Sequence, residues 1–420
     1  MEIKTLKAGQ KTKKTAIGEI PVDWEAVELQ NVIKDIGDGG TPDTRIAEYF
    51  NGGIPWATVA DIKFRIRATR QTISELGLKN SSAKLWPPQT VILTTGATIG
   101  KVGLAEFPLA TKQGITGIIC NESRLIPEYL ARFFETKEIF LNRIAQGGTF
   151  KEVRAPILKR LELALPPLSE QKKIAEILAS VDAVIDQTRA VIDQTKTVKK
   201  GLMQELLTRG IPGRHKKFKK TELGMIPEEW SIARIKDIGE IVTGNTPSTK
   251  ASRYYNGDYP WATPGDLGIG KYVKTTLKML SGEGAFVSRF IPKNSILVVC
   301  IGSTIGKIGM ASQEMSTNQQ INSIVCNKDW DYHFVYYWMS RIAKLLVEMA
   351  GKHAVPIINK TGFSVMPVLK VPIDEQRAIG KILDSIDIQI HNEEVFINNL
   401  GYLKSALMQV LLTGEVRVKV

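Results

Sequence analysis

The sequence predicts an α+β protein that is a tandem duplication: a mixed α/β globule and a long helix, then both again. The two helices are expected to pair as an antiparallel coiled coil with pseudo-twofold symmetry. Three observations support this: two long stretches with the same helical pattern, short motifs that return at a near-constant offset, and matching strand-like runs inside each copy.

The helical stretches are residues 169–208 and 374–413. In the first, Ile174, Leu178, Val181, Ile185, Ile192, Leu202 and Leu206 form an apolar stripe, completed by Thr188, Thr195 and Lys199. In the second the stripe is Ile379, Leu383, Ile386, Ile390, Ile397, Leu400, Leu407 and Leu411, interrupted by Glu393 and Lys404. Alternating steps of four and three over roughly five heptads make a coiled-coil seam. At 1.5 Å per residue, about 40 residues give a helix of roughly 60 Å. A second apolar column (Ile177, Val184, Val191, Val198; Ile382, Phe396, Leu403, Val410) widens the stripe beyond what a lone surface helix needs. Pairing positions whose numbers sum to 592 would set Lys199 against Glu393 and Thr188 against Lys404, keeping the polar interruptions together.

The duplication runs through the rest of the chain. TAIGEIPVDW (residues 15–24) returns as TELGMIPEEW (221–230), and GTPDTRIAEYFNGGIPWATVADI (40–62) as NTPSTKASRYYNGDYPWATPGDL (245–267). GATIGKVG (96–103) returns as GSTIGKIG (302–309), with its lysines 206 positions apart; Glu170-Gln171 returns as Glu375-Gln376, 205 apart. Each copy offers strands near 54–58, 91–94 and 115–120, or 259–263, 296–300 and 321–326. A helix is expected over 127–145 and over 332–350, then a last strand stopped by proline, after which Ser169 or Asp374 can cap the long helix. The expected divisions are a globule at 1–168, a helix at 169–208, a basic linker at 209–220, a second globule at 221–373, a second helix at 374–413 and a tail at 414–420.

With 420 residues, 43% hydrophobic and 24% charged, the chain reads as ordinary globular protein with room for several domains. No run of 18 apolar residues predicts a membrane span, and the basic opening MEIKTLKAGQKTKK lacks a signal-peptide core, so a cytoplasmic location is expected. Cys120, Cys300 and Cys326 are too scattered for a disulfide framework or zinc cluster. A net charge of +13 favours a polyanionic partner.

Catalytic motifs are weak. Gly96 and Gly100 enclose three residues, and Val102 or Ile308 follows the lysine, so a Walker loop is not matched; a tight turn with Lys101 and Lys307 at its tip is expected instead. Asp43, Asp61 and Lys63 imitate a metal-dependent nuclease, but the second copy has Ser248, Asp266 and Gly268. Leu165-Pro166-Pro167 lacks the Asn or Asp of an amino-methyltransferase motif, and the four histidines show no ligand or triad spacing. No catalytic residue and no metal site is expected.

DNA binding is better supported. Lys63, Arg65, Arg67 and Arg70 cluster after the Trp-Ala-Thr strand, with Lys271, Lys274 and Lys278 in the corresponding region. Lys101, Lys307, Lys352 and His353 lie in loops, and Gln113, Gln319 and Gln320 precede matching strands. Cations suit phosphates, and Gln and Arg can read base edges.

This doubled order resembles the specificity subunit of type I restriction–modification systems. The residues that carry the resemblance are Trp56-Ala57-Thr58 with Trp261-Ala262-Thr263, the two Thr-Ile-Gly-Lys turns, and the PLSEQKKI and PIDEQRAI helix starts at 167–174 and 372–379. It implies two target-recognition domains, each reading half of a split, asymmetric site in double-stranded DNA. The paired helices would set the spacing and dock two methyltransferase subunits, and motor-nuclease subunits can join. S-adenosylmethionine, ATP and magnesium would belong to those partners, with no cofactor bound by this chain. The rival readings are a stand-alone DNA-acting enzyme, nuclease or methyltransferase, and a coiled-coil scaffold without DNA recognition.

Overall fold

Alternation decides the architecture of each globule. Val91 and Leu93 join one buried cluster while Ile92 joins another, and Ile296 and Val298 separate from Leu297 and Val299 in the same way. These strands are therefore buried on both faces, which places the sheet they belong to between two layers. The computed structural model describes residues 3–5, 11–147, 151–351 and 356–419. They fall into two units, Met1–Arg189 with Phe396–Val420, and Ala190–Val395.

In the first unit a five-stranded sheet runs in the order Ile33–Asp38, Ile115–Cys120, Val91–Thr94, Val102–Ala105, Arg65–Ile66. The last pair is parallel and the others antiparallel. A four-stranded sheet, Gln71–Ile73, Phe50–Ala57, Leu109–Thr111, Leu85–Trp86, covers one face around the buried Trp86. The other face packs on the helix Pro127–Glu135 and on long-helix residues Ile174, Ile177, Leu178, Met408 and Leu411. In the second unit the orders repeat: Gly239–Thr243, Ile321–Cys326, Ile296–Val299, Ile308–Ala311, Tyr272–Val273, and Met279–Leu280, Tyr255–Ala262, Met315–Thr317, Phe290–Ile291.

The helix expected over 127–145 is broken into Pro127–Glu135 and Glu138–Ile144, whereas Tyr332–Met349 is continuous. At the break the Thr136 hydroxyl donates to Phe133 O (2.7 Å), competing with the helical ladder; the second copy has Arg341, a good helix former, at that position.

The first long helix is Leu168–Arg209 and the second Ile373–Thr413. Each ends at a glycine in the left-handed region, Gly210 (φ 78°) and Gly414 (φ 76°), the usual helix stop. A Cβ on Gly210 would lie 2.7 Å from Glu375 Oε1, and one on Gly414 would lie 2.5 Å from the Pro21 ring, so close packing demands glycine as well. Each unit contains the first part of one long helix and the last part of the other. The seam residues face inward: Ile174, Leu178, Ile185, Ile192, Leu206, Ile379, Leu383, Ile390 and Leu411 are buried, and Val181, Leu202, Ile386, Ile397, Leu400 and Leu407 half-buried. The second column is buried at Ile177, but Val184, Val191, Val198, Ile382, Phe396 and Leu403 remain exposed.

The register differs from the expected one. Lys404 Nζ contacts Asp182 Oδ1 at 2.8 Å in the first unit, and Lys199 Nζ contacts Asp387 Oδ1 at 2.5 Å in the second. Both pairs sum to 586 rather than 592, and Asp182 and Asp387, like Lys199 and Lys404, are 205 positions apart. Lys199 therefore meets Asp387, not Glu393, and Lys404 meets Asp182, not Thr188. The expectation matched the interruptions of the two stripes to each other, whereas each lysine reaches an aspartate beside the seam and the globule adds further partners. In the first unit Arg132 of the helix Pro127–Glu135, 1% exposed, binds Asp182 (2.6 Å) and Glu135 (2.8 Å) under the Phe64 ring. In the second Tyr337 donates to Asp387 Oδ2 (2.7 Å), and Lys271 pairs with Asp384 among Tyr272, Tyr336 and Tyr337.

The helix start is clasped in both copies. Trp24 Nε1 donates to Glu170 Oε2 (3.0 Å), and Trp230 Nε1 to Glu375 Oε2 (3.1 Å). Gln171 accepts from Ile126 N (2.9 Å) and donates to Arg124 O (2.8 Å) and Pro166 O (2.9 Å). Gln376 does the same with Asp331 N, Asp329 O and Val371 O. Arg417 in the strand Val416–Val418 completes the first clasp, binding Glu170 (2.6 Å) and Asp23 (2.8 Å), and its hydrogen bond holds Asp23 below the usual carboxylate range. In the second, His215 spans Glu375 (2.8 Å) and Glu229 (2.9 Å), and Arg214 reaches Glu375 (3.5 Å) and Asp374 (2.7 Å). Replacing Gln171 with alanine strands two carbonyls and one N–H in a dry site. We expect a loss of about 3 kcal/mol in the first unit's urea unfolding, with Gln376→Ala doing the same to the second; an unchanged midpoint for either would contradict the clasp.

Candidate nucleic-acid interface

Strand ends gather at one end of each globule. In the first, Ile33–Asp38, Phe50–Ala57, Val91–Thr94 and Leu109–Thr111 finish where Val102–Ala105 and Ile115–Cys120 begin. Their loops are tied by backbone donors: Gly40 N to Thr111 O (2.9 Å), Lys112 N to Ala57 O (3.0 Å), Thr95 N to Gly114 O (2.8 Å) and Val153 N to Thr95 O (2.9 Å). The second globule repeats the pattern with Asn245 N to Thr317 O (2.9 Å), Asn318 N to Ala262 O (2.9 Å), Cys300 N to Gln320 O (2.8 Å) and Ile358 N to Cys300 O (2.8 Å). The repeated tryptophan spans this end: Trp56 Nε1 donates to Gly40 O and Trp261 Nε1 to Asn245 O, both at 3.1 Å.

The same geometry explains the carboxylates that imitate a nuclease. Asp61 Oδ2 accepts from Thr58 N (2.9 Å) and Thr58 Oγ1 (2.8 Å), and Oδ1 from Arg70 N (3.2 Å). Asp266 repeats this with Thr263 and Leu277 N. Both aspartates thus close a turn. Asp43 is bound by Arg45, whose guanidinium holds its carboxyl down to about 2. Among the described residues no group of three His, Cys, Asp or Glu side chains is placed to hold a metal ion.

The structure separates the candidate DNA-binding residues. Gln113 and Gln319 stand exposed at the loop end, and Gln319 Oε1 accepts from the Thr246 hydroxyl. Gln320 is half-buried and spent internally, donating to Ile301 O (3.1 Å) and accepting from Asn318 (2.9 Å). Lys63 and Lys274 are exposed. Arg65, Arg67 and Arg70 are balanced by carboxylates: Arg65 by Glu106 (3.4 Å) and Glu128 (3.3 Å), Arg67 by Glu106 (3.2 Å), and Arg70 by Asp61 (3.7 Å). Lys271 leaves the exposed set, because its 7% exposed side chain is held by Asp384 and His333; burial pushes its pKa down, and likewise that of His333. Lys101 is exposed but stands at the base of its turn, with Ala97 and Thr98 at the tip. Lys307 is half-buried and donates to Pro264 O (3.3 Å). Lys352 and His353 lie outside the described residues.

Other residues at this end were not among the candidates. Lys112, Arg154, Lys151 and Arg45 are exposed on the first globule, and Thr246, Lys250 and Asn359 on the second. Lys112, next to Gln113, could have been found from its position between two strands. Arg154 and Asn359 are revealed only by the backbone bonds that bring residues 151–154 and 356–359 to the strand ends.

Comparison with known proteins gives consistent matches. A family model described as "Type I restriction modification DNA specificity domain" matches residues 21–196 and 227–400. A putative type I restriction enzyme MjaX specificity subunit of Methanocaldococcus jannaschii is 28% identical, covering 97% of each chain. The type I restriction enzyme MjaIX specificity subunit of the same organism is 26% identical over 97% of this chain and 96% of its own. Among solved structures, a type I restriction-modification S subunit from M. genitalium superposes with TM-score 0.58 at 15% identity, over 97% of this chain and 98% of that one. A chain from a structure of type I R-M complex assembly and conformational transition gives TM-score 0.58 at 18% identity, over 94% and 99%.

If the loop end meets a polyanion, Lys112→Ala should weaken duplex binding and reduce the log–log salt slope by about 0.9. Arg65→Ala, which removes a cation already matched by Glu106 and Glu128, should leave that slope unchanged. Fluorescence anisotropy across a salt series checks both, and equal effects would place the contact surface elsewhere.

Proposed function

The chain belongs to the type I restriction modification DNA specificity family, and from that premise we propose that it is the non-catalytic subunit that chooses the DNA site for partner enzymes. Each globule reads one half of a bipartite, asymmetric site in double-stranded DNA, and the antiparallel helices set the spacing. The observation that carries this reading is the doubling itself: two family matches on one chain, with the same strand-end loops built twice but bearing different side chains. No described helix is long and apolar enough to cross a membrane, in keeping with work on DNA in the cytoplasm.

The chemistry is assigned to partners. Two methyltransferase subunits would dock on the long helices, where Val184, Phe396 and Leu403 in one unit and Val191, Val198 and Ile382 in the other leave apolar surface uncovered. They would bring S-adenosylmethionine, and motor-nuclease subunits would bring ATP and magnesium. On this chain Asp61, which imitates a catalytic carboxylate, and its counterpart Asp266 have structural work, each closing a turn.

Sequencing methylated motifs in the host with and without the gene provides the test: one split motif should vanish with it, and an unchanged methylome would reject the reading. Removing an equivalent heptad from both helices shortens each by about 10.5 Å, roughly three base pairs. The gap between half-sites should shrink while the half-sites themselves persist.

A further inference from the structure

The two globules are held to their helices by clasps of the same chemistry, so the clasps do not tell one globule from the other. Trp24 and Trp230 donate to Glu170 and Glu375, and Asp23 and Glu229 supply a second carboxylate to each. The lysine–aspartate clusters farther along the helices differ. The strand Arg65–Ile66 aligns with Tyr272–Val273, because Leu104 N bonds Phe64 O (2.9 Å) as Met310 N bonds Lys271 O (2.8 Å). Phe64 thus takes the backbone place of Lys271. Counting from Ile126 and Asp331, whose N–H groups bond Gln171 and Gln376, sets Arg132 against Tyr337 and Glu135 against Ser340. On the long helices Asp182 matches Asp387, and Ala179 matches Asp384.

Cation and ring have changed places between the two. In the first unit the helix Pro127–Glu135 supplies the cation, Arg132, and the strand segment supplies the ring, Phe64, whose centre is 3.4 Å from the guanidinium carbon. In the second the strand segment supplies the cation, Lys271, and the helix Tyr332–Met349 supplies the rings of Tyr336 (5.2 Å) and Tyr337 (4.6 Å). The charges divide differently as a result. In the first cluster the globule brings Arg132 and Glu135 and the helices bring Lys404 and Asp182, so each side is neutral by itself. In the second the globule brings Lys271, and the helices bring Lys199, Asp384 and Asp387, so one positive charge of the globule meets one negative charge of the helices. His333 faces Lys271 (2.7 Å) and Asp384 (3.4 Å), and burial, then the lysine's charge, push its pKa down, so it adds no cation. The rims are settled separately: Arg65 pairs with Glu128 (3.3 Å), and Asp331 caps its own helix at Phe334 N (3.0 Å).

We infer that the helix face under each globule is a selective docking surface, and that it selects through Ala179 in one unit and Asp384 in the other. The face with Asp384 fits a globule that brings a lysine in the strand segment. The face with Ala179 fits one that carries a cation and its counter-ion on the helix and a ring in the strand segment. Mismatched, Lys271 would be left opposite Ala179 without its carboxylate, or Asp384 opposite Phe64 without its lysine. An uncompensated charge in a half-buried site is what excludes the wrong globule. A globule is therefore exchangeable only together with the opening of its own helix, through residue 179 or 384. This selectivity belongs to the attachment of the globules and is independent of what their loops bind.

The test grafts one globule onto the other's helices within the full chain. Replacing residues 26–165 with a copy of 232–370 keeps Trp24, Glu170 and Gln171 but sets Lys271 opposite Ala179. Hydrogen exchange in rising urea reads each unit separately. The first unit of the graft should unfold about a hundredfold more readily than that of the wild type. Adding Ala179→Asp to the graft should recover most of that loss, whereas in the wild type the same substitution should destabilise the first unit. A graft as stable as the wild type, or an Ala179→Asp effect of the same sign in both chains, overturns the inference. If neither graft folds, the intact second unit decides. There Asp384→Ala should cost about a hundredfold by stranding Lys271, and Lys271→Met added to it should return most of the loss. Losses that simply add in that double variant overturn the inference as well.

Discussion

A carboxylate and a carboxamide buried at the start of each long helix hold each unit together. Glu170 and Gln171 are 2% and 0% exposed, and Glu375 and Gln376 are both fully buried. A buried carboxylate costs several kcal/mol unless its partners are in place. Trp24 and Arg417 supply them in one unit, and Trp230, His215 and Arg214 in the other. Arg417 and the pair Arg214 and His215 follow the C-terminal ends of long helices, whereas the carboxylates begin them. Each clasp therefore closes only where the start of one helix meets the end of the other, so antiparallel pairing and attachment of the globule are one event.

The lysine–aspartate pairs extend that logic along the helices. Lys404–Asp182 and Lys199–Asp387 are half-buried at symmetric positions, and the globule contributes a third group to each, Arg132 or Tyr337. Removing one member of such a cluster leaves an uncompensated charge in a low-dielectric setting, at a cost of about 3–5 kcal/mol. A slip of one heptad would break both pairs at once. The globule is thus fixed to the helices in angle as well as position.

Much of this architecture was legible in the chain. The 4-3 stripe and the 205-residue offset pointed to the duplicated helices, and the short apolar runs such as Val91–Thr94 to strands; that such a strand is buried on both faces shows only in the fold, where Val91 and Leu93 join one cluster and Ile92 another. The register was not legible, because the seam pattern alone does not show that Lys404 and Lys199 reach aspartates also held by the globules. Lys271 misled for a related reason: a lysine in a Gly-rich loop looks solvated, and only the fold brings Asp384 and three tyrosines around it. The arginine cluster at 65–70 was readable as charge, but its neutralisation by Glu106 and Glu128, at least 36 residues away, was not.

Because the two copies share one chain, they allow the constraints to be sorted without any relatives. Trp24 and Trp230, Glu170 and Glu375, Gln171 and Gln376, and Asp61 and Asp266 are the same residue types in the same bonds. Those positions carry geometry, which both units need alike. At the strand-end loops the backbone bonds persist while the side chains change from Arg70 to Leu277, Lys79 to Phe286 and Lys112 to Asn318. A symmetric site would call for two equal readers. Retained scaffold bonds with exchanged surface chemistry instead fit two readers required to recognise unlike halves from one fixed frame.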